Sequence, residues 1–185
     1  MSTYVDAADT RLWLDGDAFR APAGTALPVD PFASSLAGWA AFGLIKAGFT
    51  VTTAQNITNL DGWNNTSGAP VRVKKEPPQP TIKMRPEQYS VATVLTLLRG
   101  GSITNVTGSI YEMVSGTDEN FALLLRVIDG TDKKAYYVAK GTLNTIPEEV
   151  MDGQDLEGWD LEITPLLPDD GSKALRKFLN SNPLA

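Results

Sequence analysis

The 185-residue sequence predicts a mainly β fold, a β-sandwich or barrel with one flanking α-helix and an extended N-terminal arm. Three observations carry this expectation. Several short β-branched stretches alternate apolar and polar residues with the period of two that half-buried strands require. One prominent stretch has the spacing of an amphipathic helix. The first forty residues are interrupted by prolines set too closely for a regular element.

Residues 1–40 read as the arm, because Pro22, Gly24, Pro28 and Pro31 punctuate a small-residue stretch. The arm nevertheless contains Trp13, Leu14, Phe19, Leu27 and Phe32, and a disordered tail is poor in such residues. It therefore lies on a surface, either of its own domain or of a neighbouring subunit. A β domain follows over residues 41–170. Phe49–Thr53, Val71–Val73 and Thr81–Met84 alternate as strands, with turn signals at Asn56–Gly62 and a break at Glu76–Pro80. The helix is expected over Pro86–Leu98, within 86–99, where Val91, Val94, Leu95 and Leu98 form one apolar stripe suited to covering the open side of a sheet. Pro86 fits its first turn and Gly100–Gly101 its stop. Further strands are expected at Ser109–Val114 and Phe121–Ile128. A hairpin turn at Asp129–Asp132 leads into Lys134–Leu143. In Gly158–Thr164, Trp159, Leu161 and Ile163 share one face and Asp160 and Glu162 the other. Residues 171–185 form a tail, with a short helix from Ser172 that aligns Ala174, Leu175, Phe178 and Leu179. The total is six to eight strands and one main helix, without an internal repeat.

Composition excludes several chemistries. The chain has no cysteine and no histidine, which removes disulfides, thiolate nucleophiles, histidine-based triads and histidine metal sites. With 16 basic and 22 acidic residues, the net charge is −6, unfavourable for gripping a phosphate backbone. No apolar run approaches the roughly 20 residues that span a bilayer. The first residues lack the basic and apolar regions of a secretion signal, so a cytosolic origin is expected. The Asn-X-Ser/Thr triplets at Asn56, Asn64, Asn65 and Asn105 read as polar turn and strand sequence.

No catalytic, cofactor or metal set is expected. Glu148, Glu149, Asp152, Asp155 and Glu157 lack calcium-loop spacing and read as a solvated loop; Asp15 and Asp17 read as a turn. No phosphate-cradling glycine motif occurs. The candidates are contact residues. Trp13, Phe19, Phe32 and Trp39 are aromatic anchors in or just after the arm. Lys74 and Lys75 suit a contact with an acidic loop, whereas Trp63 and Trp159 are expected in the core.

Ala21–Pro28, then Leu36–Trp39 and Phe42–Gly43, resembles the N-terminal region of siphophage major tail proteins, the tail tube subunits, especially of phages infecting actinobacteria. Gly48–Thr50, Ile57–Trp63, Pro70–Val73 and the helix near Tyr89–Leu98 are similar in the same order, as are Gly158–Thr164 and the turn Pro168–Gly171. The chain departs from many relatives at Ala47, where they have an acidic residue. The resemblance implies a β-barrel or sandwich flanked by a helix, six copies joined edge to edge into a ring, and rings stacked into a hollow tube. It further implies that arms and loops bridge the layers, that viral DNA passes through the lumen without sequence-specific binding, and that partners include the tape measure and tail terminator. Residence in the virion tail after assembly in a bacterial cytoplasm follows, with no cofactor and no membrane. The other readings are a different ring component, such as a terminator, distal tail protein or secretion tube, and a carbohydrate-binding or adhesin sandwich.

Overall fold

The computed structural model describes residues 10–149, 151 and 153–181, and all positional statements concern these. In chain order they form β1 (Asp15–Pro22), β2 (Ala40–Ala41), β3 (Ile45–Ala54), β4 (Ile57–Leu60), β5 (Arg72–Lys75) and β6 (Gln79–Pro86). Then come α1 (Val91–Leu98), β7 (Ser102–Thr107), β8 (Ile110–Val114), β9 (Phe121–Asp129), β10 (Asp132–Leu143), β11 (Leu161–Pro165) and β12 (Arg176–Leu179). The fold is mainly β with a single helix, a sandwich built by one strongly curled sheet.

That sheet runs β2-β1-β9-β10-β11-β6-β3, with β12 added beside β10, and its pairs are antiparallel. The two-residue turn Gly130–Thr131 joins β9 to β10 with Asp129 opposite Asp132, as the sequence signals. A register shift between Val138 and Gly141 breaks the ladder of β10 with β9, and such bulges bend a strand. Before the bulge β10 pairs with β12; after it, with β11. The curled sheet brings Phe49 of β3 against Gly16 of β1, where a Cβ would come within 3.0 Å of the ring. No ladder joins these two strands.

The concave side holds the main core: Phe121, Leu123 and Leu125 of β9, Val138 and Leu143 of β10, Leu161 and Ile163 of β11, Ile82 and Met84 of β6, with Phe42 and Trp159. Complete burial of each large aliphatic side chain contributes roughly 2 kcal/mol. A second cluster lies behind β1, β9 and β10, where Phe19, Leu124, Ala135, Tyr137 and Ala139 meet Leu36 and, half-buried, Leu27, Phe32, Trp39 and Phe178. Strands buried on both sides read as continuous apolar runs, and Phe121–Leu125 is such a run.

Four expectations are corrected. Residues 1–40 are not only an arm, since Asp15–Pro22 is an interior strand paired along its length with β9, and residues 23–39 cover the back of their own sheet. The proline signals mark the loop after β1, and Pro22 itself closes the strand. The helix starts at Val91 and not Pro86, which ends β6; Ser90 caps it by accepting from the Thr93 amide at 3.1 Å. Its buried face is Ala92, Thr93, Thr96 and Leu98, while Val91 and Leu95 are exposed. Threonine can turn inward because its hydroxyl is satisfied locally: Thr96 donates to the Ala92 carbonyl at 2.8 Å and Thr93 meets the Ser90 hydroxyl at 3.0 Å. The terminal segment is a strand, because Lys134–Tyr137 of β10 offers an edge that β11 does not reach. Finally Trp63, expected in the core, is fully exposed, whereas Trp159 is buried as expected.

Candidate assembly surfaces

Two buried arginines flank β1, Arg126 on the back of the sheet and Arg20 on the side of the main core. Arg126 of β9 bonds Asp17 of β1 at 2.7 Å, donates to the Ala33 carbonyl and lies 4.8 Å over the Phe19 ring. Arg20 of β1 meets Glu119 at 2.6 Å and stacks over Phe121; burial pulls its pKa down, and Glu119 opposes that. The Tyr137 hydroxyl donates to the Thr25 carbonyl at 2.6 Å, and Trp39 meets the Tyr137 ring edge-on. Residues 23–39 are thus fastened by side-chain bonds to the Ala33 and Thr25 carbonyls and by aromatic packing.

This arrangement sorts the sequence-predicted contact residues. Phe19 is buried inside its own subunit and leaves the set of free anchors, because β1 presents that side to residues 23–39. Phe32 and Trp39 are half-buried in the same layer. Trp13 lies before β1, with the Lys134 ammonium 4.4 Å over its ring. It lines an open cavity of about 490 Å³ with Asp15, Gly16, Ile45 and Phe49, at the seam where β1 and β3 approach without pairing. Lys74 and Lys75 are exposed on β5, and Lys74 pairs with Glu76 at 3.8 Å.

The outward face of β3, β6, β11 and the end of β10 is polar and uncovered. Register places Thr50, Lys83 and Glu162 in one row and Lys46 beside Arg85. Its cations are neutralised: Lys83 pairs with Glu162 at 2.8 Å, Arg85 with Asp160 at 3.1 Å, Lys140 with Asp169 at 2.8 Å, and Lys46 with Asp155. Lys83 and Asn144 hold the Glu162 carboxyl below its ordinary pKa. Along this face β3 is the last strand, so one side of a ten-residue strand has no ladder partner.

Two hairpins stand off the sheet with every strand residue exposed, β4–β5 and β7–β8. The sequence anticipates their second strands, at Val71–Val73 and Ser109–Val114, but reads turn signals at Asn56–Gly62, where β4 lies, and no element at β7. Among the described residues, no group of three or more carboxylates is placed to hold a metal ion, and no helix is long and apolar enough to cross a membrane.

A comparison with curated proteins finds no match. A family model described as phage tail tube protein matches residues 6–185, which takes in the curled sheet, both hairpins and the terminal strand. The chain belongs to the phage tail tube protein family, and its role is that of a structural component of the virion tail.

Proposed function

We propose that six copies join into a ring, that rings stack into a tube, and that the lumen conducts the viral genome during ejection. The observation that carries this reading is the unpaired edge of β3. A long, regular, open edge is an aggregation hazard unless another strand takes it up, and closure around a ring satisfies those backbone groups without leaving a new edge. On this reading the outward face of β3, β6 and β11 lines the lumen. Its cations are already paired, so phosphates gain little by displacing counterions there and DNA can slide. The tape measure and terminator are the further tail partners, assembly takes place in the host cytoplasm, and the likeness around Ala21–Gly43 supports an actinobacterial host.

Negative-stain electron microscopy of the purified chain, with and without tail-tip complex, tests this. Hollow tubes of six-fold section are expected. Single rings that never stack would transfer the chain to a terminator-like role, and a monomer that stays monomeric beside tail tips would overturn the tube.

A further inference from the structure

Where the chain approaches β1, a groove lies between two segments that are both pinned to the β9–β10 hairpin. The Leu12 amide donates to Asp129 at 2.9 Å and Arg11 pairs with Asp132 at 2.6 Å, which fixes the segment before β1. On the other side the Asn180 side chain accepts from the Lys133 amide at 2.8 Å and donates to the Thr131 carbonyl at 2.7 Å, which fixes the end of β12. Between them is a cavity of about 260 Å³ whose walls include Arg11, Trp13, Lys134 and Leu179. Register pairs Lys134 with Leu179 and Tyr136 with Lys177, so these four side chains share one face. The Lys134 ammonium sits 4.4 Å over the Trp13 ring, which attracts a cation without neutralising it. Burial, with the neighbouring charge of Lys177, lowers the Lys134 pKa. Arg11 and Asp132 cancel each other, whereas Lys134 and Lys177 form no ion pair among the described residues. The groove thus joins an apolar wall, Trp13 and the exposed Leu179, to two uncompensated cations in a chain of net charge −6.

The complementary segment is the connection from β10 to β11. Positions 146–157 hold five carboxylates and no basic residue, and Ile146 (71%), Met151 (79%) and Leu156 (57%) are exposed among them. Its later part is tied down: Asp155 bonds Lys46, Glu157 accepts from the Tyr89 hydroxyl at 2.8 Å, and the Trp159 amide donates to the Pro86 carbonyl at 3.1 Å. Its earlier part is not. Glu148 and Glu149 form no ion pair among the described residues, and residues 146–149 belong to no strand or helix. Pro147 restricts Ile146 to extended conformations. Other carboxylates are poorer candidates, since Asp17, Glu76, Glu119, Glu162 and Asp169 already pair with cations of their own subunit. Within one subunit the connection and the groove do not meet: among the described residues Lys177 is the charge that acts on Lys134, and no carboxylate of the connection does.

We propose that the segment beginning at Ile146 of one copy docks in this groove on a second copy, with Ile146 against Trp13 and Leu179 and Glu148 on Lys134 and Lys177. In an extended segment residues 146 and 148 point to the same side, so the apolar anchor and the charge enter together. Charge complementarity selects a second copy as the occupant, because the connection supplies the carboxylates that the groove of its own subunit leaves unmatched. Connection and groove are different surfaces, so the contact is head-to-tail, of the kind that closes a ring or continues as a filament. It rests on the assembly reading above only in that copies of the chain meet.

The absence of cysteine makes the test direct. Ile146→Cys and Leu179→Cys, on separately tagged full-length chains, are mixed under assembly conditions and oxidised. A mixed disulfide dimer is expected, whereas Ile146→Cys with Ile103→Cys should give none. A dilute chain carrying both Ile146→Cys and Leu179→Cys should stay open; an internal disulfide there overturns docking between copies. In the second arm, Lys134→Glu should weaken self-association in sedimentation by at least about tenfold. Adding Glu148→Lys to the same chain should restore it, because every copy then presents both reversed charges. Lys177→Glu, at an exposed position, gives the same reading should Lys134→Glu fail to fold. Tubes that form without the cross-link, and assemble normally with the reversed lysines, overturn the docking while leaving the tube intact. If neither wild-type chain nor tail tips yield tubes, the tube reading fails; cross-linking between free subunits at high concentration then upholds the docking, and its absence there overturns it.

Discussion

Arg126 and Asp17 lie 109 residues apart in sequence and meet at 2.7 Å, and the same guanidinium donates to the Ala33 carbonyl. One side chain therefore ties β9, β1 and the loop over them. Arg126→Ala removes a charge-assisted bond and frees the loop, at a cost of about 2 kcal/mol; Asp17 is half-exposed, which keeps the loss below that of a fully buried pair. Denaturant unfolding should show the loss, and limited proteolysis should cut faster between residues 23 and 39.

Ala47 and Gly48 form a left-handed pair in β3, at φ 59° and 77°, where the ladder with β6 shifts register between Lys46 and Phe49. Glycine accepts this geometry without a Cβ, whereas an L side chain pays about 1 kcal/mol. Ala47→Gly should raise the melting temperature by a few degrees, and Ala47→Val should lower it.

The outward helix face lies outside the folded core. A sequence-based stripe makes Val91 and Leu95 core residues, and truncation of such a residue would cost at least about 2 kcal/mol. In the structure both are exposed, so Val91→Ser and Leu95→Ser should each leave stability within about 0.5 kcal/mol. Calorimetry on the monomer checks this. Ala92→Leu, by contrast, should destabilise it, because position 92 is completely buried.

Tyr89 offers a pH signature. Its bond to Glu157, with burial and the charge of Glu149 adding to the effect, pushes the phenol up to about 12. The folded state thus holds this proton more tightly than the unfolded chain does. The stabilisation is complete below pH 10 and is lost as pH rises toward 12. Tyrosinate absorbance should show a late-titrating component that Glu157→Gln shifts to lower pH and Tyr89→Phe removes.

The sequence by itself determined the β class, the hairpin at Gly130–Thr131, the apolar run of β9 and the inward set Trp159, Leu161 and Ile163, because each is written in local period or turn chemistry. Zero histidine and zero cysteine bounded the chemistry in the same way. Only the tertiary structure decided that Asp15–Pro22 is an interior strand and Arg176–Leu179 another. Both are recruited by distant edges, β9 in one case and β10 in the other. It also turned α1 so that Thr93 and Thr96 face inward, which no periodicity of apolar residues encodes. The hairpin β4–β5 buries neither face within the subunit, so intrachain packing imposes no pattern on it.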